Sequence, residues 1–191
     1  MRVVLITFAF LLMSASAIGK TINLRNKSDS DGGVREISFC ARPSPATTGL
    51  PGHAFVVFAQ TALGGKSKFR AIGHTVFSVG DAILSYKGII PANGALVNEN
   101  YTAIKQECLT VQVNASEFET TYLDTTQPLA VLGIKFDEKH PIQKSYSLSE
   151  NDCMDFMLNI ANRYKVKGIN IPKRNQSDLP LPYLRKLIEA N

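Results

Sequence analysis

Residues 34–41 (VREISFCA) place apolar and polar side chains in the near-alternation of a half-buried strand. Residues 53–60 (HAFVVFAQ) and 69–79 (FRAIGHTVFSV) are more continuously apolar. The intervening TALGGKSK carries Gly64-Gly65, so the pair reads as an antiparallel hairpin. Residues 104–113 (IKQECLTVQV) predict a further strand, and residues 21–24 a short alternating piece ahead of the first. The ARPSPATTGLPG stretch at 41–52 is a loop, and 81–100, broken by Gly88, Pro91 and Gly94, reads as mostly irregular. Residues 129–136 suit a weak strand or a helix end equally.

The apolar period changes to that of a helix late in the chain. Cys153, Met157, Ile160, Ala161 and Tyr164 fall on one face of a helix predicted from about 150 to 164 or 165. Ser149 with Asp152 three residues on is its capping pattern, and Gly168 its stop. Asn114 or Ser116 caps a shorter helix over 117–123, and Pro180-Leu181-Pro182 precedes an amphipathic helix over 183–190. A strand-rich centre followed by helices predicts an α+β fold.

The first residues stand apart from this pattern. Arg2, an apolar run over 3–13 and the small residues Ala15-Ser16-Ala17 make a signal peptide of residues 1–17. The run is too short to span a hydrocarbon core of about 30 Å, and no later stretch approaches that length. Residues 18–191 are then one domain, large enough for its own core, with a secreted or extracellular destination (the periplasm in a bacterium). The formal charge of +5 falls to +4 without Arg2. The basic residues are scattered and lack interleaved aromatic residues, which argues against nucleic-acid binding. Four Asn-x-Ser/Thr triplets, at Asn26, Asn100, Asn114 and Asn175, are acceptor sites for glycans in a eukaryotic secretory route.

Secretion makes three cysteines an awkward number. A bridge between Cys40 and Cys108, both in predicted strands, leaves Cys153 at a helix start as the free thiol, although spacing alone does not select this pairing. No Cys/His grouping has the spacing of a zinc site, and no cofactor is implied. A thiol in the first turn of a helix meets unpaired N–H groups and the positive end of the helix field, which favour an anion. The competing reading is a small hydrophobe packed on the sheet, and Asp152 and Asp155 oppose a thiolate if they come close.

A reactive thiol needs a base that titrates near neutral pH, and histidine suits that role. His140, before Pro141 in DEKHPI, reads as solvated surface. If the hairpin turns at 63–65, His53 and His74 face each other on one sheet surface; a slip of one residue separates them. His53 is then the base for Cys153, and His74 orients its ring, with Asn151 as a different candidate for that task.

PGHAFVVF, the Gly-His of the next strand and the late Tyr-x-Leu-x-x-Asn-Asp-Cys-x-x-Phe resemble the permuted branch of the NlpC/P60 superfamily. That branch includes the lecithin–retinol acyltransferase-like proteins and the PPPDE peptidases. The resemblance implies a papain-like core in which the histidine strand precedes the cysteine helix and an antiparallel sheet packs on the helix carrying Cys153. It makes Cys153 the nucleophile, His53 the base, His74 the polar partner and Phe156 the aromatic residue behind the nucleophile. The chain departs from those families in placing Asp152 between Asn151 and Cys153 and in carrying Met154-Asp155 after the cysteine.

The function expected is a secreted cysteine hydrolase that cleaves an amide, in a peptide or a peptidoglycan-type substrate, through a thioester. An inactive binding or effector domain on the same scaffold is the second expectation. A lipid acyl hydrolase or acyltransferase, requiring an apolar groove beside Cys153, is the third. The expected partner is thus a peptide, cell-wall or lipid substrate; the sequence leaves the oligomeric state open.

Overall fold

The computed structural model describes residues 19–26, 32–43, 52–76, 78, 80–81, 92–101, 105–126, 142–147 and 151–191. The leader, the 129–136 segment, Ser149 and His140 lie outside the described residues. Among the described residues there are seven strands: β1 (Gly19–Asn23), β2 (Gly33–Arg42), β3 (His53–Ala62), β4 (Ser67–Val76), β5 (Ala92–Asn98), β6 (Glu107–Gln112) and β7 (Ile142–Tyr146). They form one sheet in the order β1-β6-β2-β3-β4-β5-β7. The helices placed in full by the described residues are α1 (Ala115–Thr126), α2 (Cys153–Ala161) and α3 (Pro180–Glu189), with a 3-10 turn over Asn162–Lys167 prolonging α2.

The fold is therefore α+β, but the sheet is mixed where an antiparallel one was expected. β1 runs parallel to β6, pairing Gly19 with Cys108 through to Asn23 with Gln112. The alternation read in the sequence sorts the strand side chains onto two faces. One face carries Ile37, Phe39, Val56, Ile72, Leu109 and Val111, which pack with residues of all three helices in the main core. The other carries the smaller cluster of Cys40, Phe55, Val57 and Ala71. Cys40 and Cys108 are directly opposite on β2 and β6 and are bridged, Cα to Cα 4.2 Å.

Three expectations need correction. The β3–β4 hairpin closes with Ala62 N–H donating to the Lys66 carbonyl (3.0 Å), around a three-residue loop centred on Gly64 with Gly65 at φ 75°. Gly65 supplies the left-handed residue that such loops need. This register sets Phe55 opposite Gly73, one residue away from the pairing that would face His53 with His74.

The cap of α2 lies three residues later than predicted. Asp152, not Ser149, is the N-cap, and Asp155 completes the capping box. Lastly, the stretch read as irregular contains β5, and β7 was not foreseen. β5 pairs with β4 on one side and β7 on the other, which extends the sheet by two strands beyond the hairpin. Among smaller shifts, α1 starts from Asn114, whose N–H donates to Glu117 Oε2 (3.3 Å), and α3 begins at Pro180 rather than Tyr183. Proline is well placed in a first turn, where its missing N–H has no partner to lose.

Candidate functional site

Cys153 is the first residue of α2, a free thiol 5 % exposed. The chain turns into the helix there because Asp152 takes up its first free donors. Asp152 Oδ1 accepts from the N–H of Met154 (2.8 Å) and of Asp155 (3.0 Å), while Asp155 Oδ2 accepts from the Asp152 N–H (3.2 Å). Arg174 pairs with both carboxylates. Its Nη1 lies 3.0 Å from Asp152 Oδ1 and 2.6 Å from Asp155 Oδ1, and its Nη2 2.5 Å from Asp152 Oδ2. Burial alone would lower the arginine's pKa, but these hydrogen bonds and the two negative charges raise it.

Removing one partner of a buried ion pair strands the other's charge. Asp152 is 3 % exposed and Arg174 12 %. Arg174→Ala should therefore destabilise the protein by about 3 kcal/mol, read from urea unfolding. Asp155→Asn, which leaves the Arg174–Asp152 pair in place, should cost less than half as much.

His53 opens β3, and its ring stacks against Phe55 at 6.2 Å between centroids. Its Nε2 is 2.8 Å from Glu99 Oε1. The Cys153 side chain also acts on the ring, and with Nε2 on Glu99 the nitrogen not so engaged is Nδ1. Burial pushes the His53 pKa down. The hydrogen bonds to Cys153 and Glu99, with their negative charge, outweigh it and hold the ring up at about 9. Burial likewise raises Glu99, but His53 and Arg42 together pull it below the ordinary carboxylate value.

Glu99 immediately follows β5, where its N–H donates to the Ala71 carbonyl (2.9 Å) and fixes it beside β4. Its side chain and the His53 ring share the space above Gly73. A Cβ on that glycine would lie 2.4 Å from Glu99 Oε1 and 2.6 Å from His53 Nε2. Glu99, which the sequence reading did not single out, is thus the acidic group that the structure sets on His53 Nε2. Glu99 is the only acidic residue between Asp81 and Glu107, and this was the one sequence signal for it.

His74 lies fully buried in β4, opposite Leu96 of β5, and its ring meets that of Tyr146 at 5.0 Å. Tyr146 ends β7 and bonds to Cys153 through both the side chain and the backbone. Burial, then the nearby charges of Cys153 and Asp152, drive its phenol pKa upwards. A cleft of about 280 Å³ opens beside the sulfur, with Gly52, Tyr146, Cys153 and Met154 on one side and the 174–180 segment on the other. Polar Gln176, Ser177 and Asp178 line it together with apolar Leu179 and Pro180.

Of the glycan acceptor sites, Asn26, Asn100 and Asn175 are exposed. Asn114 is half-buried, and its Oδ1 accepts the Asn26 N–H (3.0 Å). Among the described residues, no helix is long and apolar enough to cross a membrane.

No family model and no curated protein matches the chain. Among solved structures, the crystal structure of the type VI secretion system effector TseH is similar at a TM-score of 0.40 and 11% identity, over 83% of this chain and 90% of that one. So distant a likeness leaves the chemistry to be read from the site itself.

Proposed function

We propose that this chain is a secreted cysteine hydrolase acting on amide bonds in a peptide or peptidoglycan-type substrate. It would have a permuted papain-like core in which the β3 histidine precedes the α2 cysteine. The observation that carries this reading is the meeting of Cys153, His53 and Glu99 at the start of a helix, next to an open cleft. The cross-strand disulfide fits an oxidising, extracellular compartment.

The chemistry follows from the positions. Glu99 holds the Nε2 proton of His53, so Nδ1 takes the proton of Cys153 and leaves a thiolate beside an imidazolium. The sulfur attacks the carbonyl carbon, and the charge that develops on oxygen needs donors fixed in advance. Those on hand are the Cys153 backbone N–H and the Tyr146 hydroxyl, which stands on both the sulfur and that N–H. The raised phenol pKa keeps Tyr146 protonated as a donor. His53 passes its proton to the departing amine, forming the thioester, then takes one from water so that hydroxide releases the acid. His74 would serve the site through Tyr146, by holding its ring.

Gln176, Ser177 and Asp178 offer hydrogen-bond partners to a peptide backbone, and a volume below the ~300–1,000 Å³ of ordinary ligand pockets favours a short peptide over a long acyl chain. The test is product release, followed by mass spectrometry, from the mature chain incubated with peptides, peptidoglycan fragments and phospholipids. Amide cleavage by the native protein and none by Cys153→Ala supports the proposal. Ester cleavage alone would move the assignment to a lipid acyl hydrolase. Loss of neither substrate, from a protein whose Cys153 still alkylates, would point to a binding domain.

A further inference from the structure

Arg42 has no part in the reaction outlined above, yet it is joined to the reacting residues. It ends β2 directly opposite His53 in the β2–β3 ladder. Its guanidinium lies over the Phe55 ring, 5.6 Å from the centroid, and its Nη2 is 2.8 Å from Glu99 Oε2. The two oxygens of Glu99 are thereby divided, one to His53 and one to Arg42, on a side chain only 7 % exposed.

We infer that Arg42 is a positioning residue for the catalytic pair, acting through Glu99 to keep the shared proton on His53. This rests on the hydrolase reading given above. A buried carboxylate facing an imidazole can exist as an ion pair or, with the proton moved across, as a neutral pair. Burial favours the neutral form, because it penalises each charge separately. A guanidinium stays protonated throughout, so its presence tips the balance to carboxylate and Nε2–H. With Nε2 so occupied, Nδ1 is the nitrogen free to exchange a proton with Cys153. The charged and titratable groups set against Glu99 and His53 are Arg42 from β2, the two residues on each other, and Cys153 from α2.

The position is held by more than the pairing with Glu99. Stacking on Phe55 and the opposition to His53 in the ladder fix where the guanidinium ends, so its reach to Glu99 does not depend on a flexible surface encounter. This separates it from the solvent-exposed Arg163–Asp124 pair, whose side chains are 44% and 51% exposed.

The test is the pH dependence of Cys153 carboxymethylation by iodoacetamide in the native protein, Arg42→Gln, Arg42→Lys and His53→Ala, with thermal unfolding recorded in parallel. In Arg42→Gln the removal of the cation lets Glu99 take up a proton at higher pH. The acid limb of the profile should therefore move up by about one unit. Arg42→Lys keeps the charge and should return the limb to within a few tenths of a unit of the native one. A purely structural arginine would change the melting temperature and leave the limb where it is. A limb unmoved in Arg42→Gln, or moved as far in Arg42→Lys, overturns the inference while the His53-dependent reactivity of the native protein stands. If native Cys153 shows no reactivity at pH 6.5 that His53→Ala removes, the hydrolase reading beneath it fails instead.

Discussion

Gly73→Ala should leave the protein folded and take away most of the neutral-pH reactivity of Cys153. Glycine inside a strand is ordinarily a cost of about 0.5–1 kcal/mol relative to alanine, because it loses more backbone freedom on folding. Here that cost is retained at the middle of β4, between Val97 and Phe55 in the two ladders. The added methyl would need the space of Glu99 Oε1, Glu99 Cγ and His53 Nε2, at 2.4, 2.9 and 2.6 Å. All three are side-chain and not backbone atoms, so the Glu99 and His53 side chains yield and the sheet stays. What is lost is their mutual contact, and with it the fixed orientation of His53.

The expected result is a urea midpoint close to the native one, with carboxymethylation of Cys153 at pH 6.5 slower by at least ~10-fold. A loss of stability matched by unchanged thiol chemistry would mean that Gly73 serves packing alone.

The second large effect is on stability. Cys40→Ala/Cys108→Ala should lower the unfolding free energy by about 4 kcal/mol, the loop entropy of a bridge closing so long a segment. The two cysteines are 68 residues apart in sequence, and the bridge ties the central strands β2 and β6. A domain of this size is stable by roughly 5–15 kcal/mol, so the loss is a large share of the total and should lower the melting temperature by about 10 °C. The bridge lies on the sheet face away from α2, with Phe55, Val57 and Ala71. Cys153 should accordingly keep its alkylation profile below the new melting point. A change of less than 1 kcal/mol would show that the unfolded chain is already constrained across this span.

The sequence made the central strands and α2 legible because both sides of each pattern agreed. Phe39 sits in an alternating segment and Val56 and Ile72 in more continuously apolar ones, all bounded by turn residues, and Cys153, Met157, Ile160 and Ala161 share one helical face. The disulfide was legible as well, since an expected secretory route favours a pair and Cys40 and Cys108 both fell in predicted strands; they are bridged in the structure.

The orientation of His53 was not legible, for two reasons. A hairpin loop was placed correctly at 63–65, but its closing pair fixes the register, and one residue of difference moves His74 to the opposite face. The other reason is β5. Pro91, Gly88 and Gly94 read as breakers, although ANGALVN forms a strand once β4 and β7 supply its hydrogen bonds. Tertiary pairing overrode local preference there, and Glu99 came with that strand. Tyr146 was missed for the same cause, because β7 has no alternation strong enough to announce it. Asp152 illustrates a different limit. Ser149 and Asp152 both offer a capping oxygen three residues before an acidic partner position, and only the distant Arg174 favours the second.

The claim on which the rest depends is that His53 activates Cys153. It is tested most directly by the rate of Cys153 carboxymethylation at pH 6.5, identified by peptide mass mapping, in the native protein and in His53→Ala. An unassisted cysteine, with a pKa near ~8.5, is about 1 % thiolate at that pH. A thiol activated by His53 should therefore react about 100-fold faster in the native protein than in the variant, with the difference closing towards pH 9 as an unassisted thiol ionises by itself. Equal rates in the two proteins across that range would contradict the account.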